Sequence, residues 1–163
     1  MNSHFSSLAV SVGFPLTFGA TVVSFQSIFN STWKLIFGFV LDRLGPVRAC
    51  NIFNCIGFTG VMILLLASRN PILLIIGVSM YACNFSVSTV GIPTLMMEAA
   101  GREYIDYYSK QNMVQTIAYA FGTTMYGTLS DITGSYTVCL IVVEVMTVSV
   151  FLLIRRIGKK IYG

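Results

Sequence analysis

Apolar residues run through this chain in long blocks separated by short polar turns. No Asp, Glu, Lys or Arg occurs in residues 1–33, 49–68, 70–97 or 111–130. A further block over about 136–154 is interrupted by Glu144 alone. At about 1.5 Å per residue, each block can cross about 30 Å of hydrocarbon as a helix. Backbone groups in lipid must be paired within their own segment, so helices are the default. The pattern predicts an all-α polytopic transmembrane bundle with about five spans, at 14–41, 47–68, 71–97, 110–130 and 136–155. Gly45-Pro46 breaks the first span from the second. Arg69, Asn70 and Pro71 separate the second from the third. Residues 98–109 make the longest loop, Asp131 to Tyr136 join the last two spans, and 155–163 form a tail. The whole chain reads as one transmembrane domain.

Composition supports a membrane protein. Of the 163 residues, 55% are hydrophobic and 10% charged, against about 25% charged in a soluble domain. The net charge of +4 does not point to nucleic acid, because the basic residues sit at helix ends. Arg43, Arg48, Arg102, Lys110, Arg155, Arg156, Lys159 and Lys160 fall on one side of the predicted topology, and Arg69 alone on the other. The basic side is read as cytoplasmic, which puts the C-terminus inside and the N-terminus outside a multi-pass protein of the cell membrane. Cys50, Cys55, Cys83 and Cys139 lie in apolar segments without metal-ligand spacing and read as small buried hydrophobes. Residues 1–13 lack the charged start and compact apolar core of a cleavable signal peptide. His4 lies outside the spans. No metal set, phosphate loop, nucleophile elbow or cofactor motif is visible, so the chain does not read as an enzyme.

The few polar residues inside the spans are the candidates for chemistry. Lys34 lies eight residues from Asp42, about 12 Å along a helix. A lysine stem covers about half of that, so snorkelling relieves it only in part. A charge at the bilayer centre costs about 2.5–3.5 kcal/mol on insertion scales, so Lys34 is expected to face protein or water. Gln26, Asn30 and Lys34 recur every four residues and share one helix face. This stripe lines a cavity or, in the alternative, places Lys34 in a structural ion pair or near cytoplasmic water. Asn84, Ser86, Ser88 and Thr89 precede Gly91 and Pro93, where a kink is expected. They read as a cavity wall and hinge, or as helix–helix hydrogen bonding. Gln115, Tyr119 and Thr123 share another face, with the same two readings, and Ala118 and Gly122 offer close packing. Glu144 sits near the middle of the last span, protonated or paired with a neighbour.

Three motifs carry a resemblance. The first is Asn30-x-x-x-Lys34-x-x-x-Gly38-x-x-x-Asp42-Arg43-x-Gly45-x-x-Arg48. The second is the loop Gly101-Arg102-Glu103-Tyr104, and the third runs from Gly127 through Asp131 and Gly134 to Tyr136. Together they resemble helices eight to twelve of the major facilitator superfamily of transporters, most closely its oxalate:formate antiporter and monocarboxylate branches. The resemblance implies a secondary active transporter that moves a small organic anion by alternating access, without a cofactor. Its partners would be the lipid bilayer, a small solute and an N-terminal six-helix half that this sequence lacks; a gene model that starts late is the expected reason. In monocarboxylate-type carriers the basic residue four before the glycine is associated with the substrate carboxylate. That residue is typically Arg, and Lys34 replaces the bidentate fork with a point charge. Substrate binding is thus expected at Lys34, Asn30, Gln26, Asn84, Gln115 and Tyr119. Gly38, Asp42, Arg43, Gly45 and Arg48 are expected to form a conformational latch, with Arg43 and Arg48 as plain cytoplasmic anchors in the alternative. Oxalate carriers would present a second basic residue over 111–130. None is there, which leaves a monocarboxylate or a neutral solute. An inactive fragment or assembly partner is the other class.

Overall fold

The structure, a computed structural model, describes residues 5–67, 70–134 and 137–162. The expectations placed on His4, Arg69 and Tyr136 lie outside these. Among the described residues the chain is a bundle of helices without strands. A short helix, α1 (Phe5–Ser11), precedes α2 (Leu16–Leu44) and α3 (Pro46–Leu66). The third long stretch is broken into α4 (Pro71–Tyr81), α5 (Asn84–Ser86), a π-helical segment (Val87–Gly91) and α6 (Ile92–Ala100). A single 3₁₀ turn (Gly101–Glu103) leads into α7 (Tyr104–Thr133), and α8 (Thr137–Tyr162) closes the chain.

Punctuation residues set the ends. Gly45 has φ +78 and ψ 164, a conformation that suits glycine, and its N–H closes α2 on the Leu41 carbonyl at 2.9 Å. Pro46 then opens α3, where its missing N–H costs nothing. Asn70 caps α4, its Oδ1 accepting from the N–H groups of Ile72 and Leu73 at 3.0 and 3.4 Å. Gly134 ends α7 in the left-handed region at φ +64.

Among the described residues, three stretches are long and apolar enough to cross a membrane: Pro46–Leu66, the interrupted Pro71–Thr133, and Thr137–Lys159. The chain is therefore an all-α membrane protein. Over the described residues the five expected spans are mainly helical, the third with a break between Tyr81 and Asn84, but α2, at 29 residues, is not among the three stretches and carries the polar stripe. Two boundaries are corrected. The loop expected at 98–109 shrinks to one turn, because nothing but Gly101 (φ +52) interrupts the helix. The tail expected at 155–163 is helical to Tyr162, because Ile154 is buried in the core and Gly158 packs against Val47.

α3 is the central element and packs on α4, α8 and α2. Glycines let α3 and α4 close up. A Cβ on Gly60 would sit 2.6 Å from the Tyr81 backbone nitrogen, and one on Gly77 2.8 Å from Leu64. Two apolar clusters result. One gathers Val22, Val61, Leu64, Leu74, Val78, Tyr126 and Leu140, and the other Phe37, Phe53, Cys83, Val87, Leu95 and Ile154. Between them along the helices lies a polar layer. Trp33 Nε1 donates to the Ser79 carbonyl at 2.8 Å, and Asn54 Nδ2 to the Thr147 carbonyl at 3.0 Å. Cys50, Cys83 and Cys139 are buried as expected, whereas Cys55 faces outward. Among the described residues, Ala118 is exposed and no neighbour lies within 4 Å of a Cβ placed on Gly122, so the close packing expected there is not made between these helices.

Candidate functional site

The broken third stretch organises the site. Pro93 has no N–H to return to Thr89, and its ring crowds that carbonyl. The chain absorbs this by widening to π register just upstream, where the Ile92 N–H reaches back to the Val87 carbonyl. Such segments loosen the backbone and recur at functional sites. Hydroxyls supply compensating bonds nearby. Thr89 Oγ1 donates to the Phe85 carbonyl at 2.7 Å and Thr94 Oγ1 to the Val90 carbonyl at 2.8 Å. Gly91, read as a hinge residue, is buried with its α-carbon against Cys50 and Phe37, so the segment is anchored to α2 and α3 on that side.

A cavity of about 430 Å³ opens beside this segment. α2 contributes Asn30 and Lys34, the broken stretch Ser88, Thr89 and Pro93, and α7 Asn112, Gln115 and Tyr119. Four of the six expected binding residues, Asn30, Lys34, Gln115 and Tyr119, thus meet in one place although they come from helices far apart in sequence. The lysine is exposed toward this space and has no ion-pair partner among the described residues. Asn30 Oδ1 is buried without a hydrogen-bond partner among the described residues.

The other two depart from the expectation. Gln26 is buried one turn further along α2 and is not part of the cavity wall. Asn84 lies against the α-carbon of Gly57 on α3 and lines a neighbouring cavity instead. That second cavity, of about 260 Å³, is walled mainly by Tyr81, Phe85, Val87, Ile92, Tyr126 and Val150, with Tyr119 and Ser88 at its edge.

A hydrogen-bond network runs through Ser88 and Tyr119, which line both spaces. Gln115 Nε2 donates to Ser88 Oγ at 2.9 Å and to Tyr119 Oη at 3.0 Å. Gln115 Oε1 accepts from Gln111 Nε2 at 2.9 Å, and the Ser88 and Tyr119 hydroxyls are 3.4 Å apart. Gln111 is the member the sequence reading missed. It lies four residues before Gln115, the spacing that places it on the same face. The two readings of Gln115, cavity lining and interhelical bonding, therefore hold together.

The expected latch residues sit at the α2–α3 turn. Asp42, Arg43 and Arg48 are exposed and make no ion pair among the described residues. Among the described residues nothing lies within 4 Å of a Cβ placed on Gly38. Glu144 is 8% exposed, and both carboxyl oxygens lack a hydrogen-bond partner among the described residues. It lines neither cavity. No group of three or more His, Cys, Asp and Glu able to hold a metal occurs among the described residues. No family model matches this chain, and no curated protein or solved structure matches it.

Proposed function

We propose that this chain is the C-terminal half of a secondary active transporter of the major facilitator type, and that it moves a small organic anion. The observation that carries the reading is the setting of Lys34. A lysine well inside the 29-residue α2, eight residues before Asp42, borders a polar cavity lined from three helices and has no acidic partner among the described residues. Such a charge attracts an anion, and the Asn112 amide and the Ser88 hydroxyl, which also line the cavity, suit a carboxylate's remaining lone pairs, whereas Gln115 spends both amide hydrogens on Ser88 and Tyr119. With one cation on the wall, a monocarboxylate is matched better than a dicarboxylate. The π segment at Val87–Gly91 is the element best suited to change shape during alternating access. In this reading Asp42, Arg43 and Arg48 latch onto a companion six-helix half on the cytoplasmic side of the cell membrane, and the exposed faces of α2 and α7 line the translocation path.

Uptake into vesicles carrying this chain with its companion half tests the proposal. Monocarboxylates would be offered beside neutral sugars and nucleosides. Carboxylate uptake that disappears in Lys34→Ala supports the reading. Uptake of a neutral solute that survives Lys34→Ala removes the anion from it.

A further inference from the structure

The two cavities are chemically unlike and adjoin. Phe85, Ser88 and Tyr119 belong to the walls of both. The first holds Lys34 and a ring of amides and hydroxyls, whereas the second is bounded mostly by aromatic and branched apolar side chains from four helices. Two of the three shared side chains, Ser88 and Tyr119, are hydrogen-bonded to Gln115 of the first cavity. Rotation of the Tyr119 ring, itself half exposed, would join the two cavities. A solute held by its charge at Lys34 would then reach the second space without leaving the chain's interior.

We infer that the apolar cavity is a subsite for the hydrocarbon body of the transported anion, so that the substrate class is amphipathic monocarboxylates, with an alkyl or aryl body, and not the smallest acids. This rests on the anion reading for the head group and adds a separate determinant for the body. Val150, Ile92 and Met146 face the body, and Lys34 faces the head. The Ser88–Tyr119 pair sits at the junction and admits bodies that can pass between α7 and the π segment. Burial of each added methylene in such a space tightens binding about fourfold.

Isothermal titration on the 163-residue chain in lipid nanodiscs tests this with acetate, butyrate and hexanoate and with the three corresponding amides. Hexanoate is expected to bind about two hundredfold more tightly than acetate, from four added methylenes. Filling the apolar cavity with Val150→Phe should collapse that ratio to below about tenfold, a gain of little more than one methylene. Met146→Trp, at a partly exposed position that tolerates bulk, should do the same if Val150→Phe does not fold. Lys34→Ala should weaken all three carboxylates by one common factor and leave the amides as they were. A flat chain-length series, a ratio that survives both filled variants, or no binding at all overturns the subsite. Amides that bind as well as carboxylates, with a steep length series lost on filling, would keep the apolar subsite and overturn the anion head group instead.

Discussion

The bond from Gln115 to Ser88 should hold α7 against the broken stretch, and its strength can be estimated. α7 runs for 30 residues, yet Tyr126 is its only buried side chain among the described residues. Its first half therefore relies on few contacts, and the Gln115–Ser88 bond at 2.9 Å is a principal one. Hydrogen bonds between transmembrane helices average about 0.6 kcal/mol and reach about 1.7 kcal/mol. Gln115 uses both amide hydrogens and accepts from Gln111, so it is well oriented, and the upper half of that range applies. A double-mutant cycle of Gln115→Leu and Ser88→Ala isolates this bond from the intrahelical ones. Unfolding by titration with denaturing detergent in bicelles supplies the four free energies. The expected coupling is about 1–1.7 kcal/mol, or about five- to eighteenfold in the equilibrium constant. Additivity to within about 0.3 kcal/mol would show that the network carries no energy between helices.

Three further outcomes follow from the packing. Gly60→Val should cost about 1–3 kcal/mol or more, because the new side chain meets the backbone at Tyr81 and Gly77; detergent-induced unfolding measures it, and an unchanged midpoint would refute the close α3–α4 contact. Gly45→Ala should cost about 1–3 kcal/mol because of its φ of +78, whereas Gly38→Ala, in open helix, should gain about 0.5–1 kcal/mol. Equal effects at the two glycines would contradict the turn geometry, and lost transport in a stable Gly38→Ala chain would place Gly38 against the companion half. Glu144→Leu should stabilise the chain by about 1–3 kcal/mol, since a buried carboxyl without partners is replaced by an apolar side chain of similar size. A thermal shift downward would reveal a partner for Glu144.

Much of this was legible from patterning alone, because in lipid the backbone leaves little choice. Charge-free blocks located the helices, and Gly45-Pro46, Asn70-Pro71 and Gly134 located three of the turns. Spacing by fours placed Asn30 with Lys34 and Gln115 with Tyr119 on common faces, and the fold brought the two pairs to one cavity. Periodicity says which residues share a face but not how far along the helix a neighbour ends. Gln26 and Asn84 accordingly fell outside the cavity, one buried a turn away and the other against Gly57. The polar run at 98–109 reads as a loop because its charges interrupt the apolar pattern. Glu98 on α6 and Asp106 on α7 are equally at home on helices that leave the apolar layer. Pro93 foreshadows the π register only as a kink, since a proline marks the missing N–H but not the register in which the turn before it is re-paired. The apolar cavity could not be read at all, being built from four helices that share no local signal.

The most direct measurement concerns the charge at residue 34. Monocarboxylate uptake would be compared for the unaltered chain, Lys34→Arg and Lys34→Gln, each with the companion half in sealed vesicles. Retained uptake in Lys34→Arg together with loss in Lys34→Gln is the expected result, because an anion needs the cation and not the amine. Equal uptake in all three would contradict the anion site and leave Lys34 a residue of the fold.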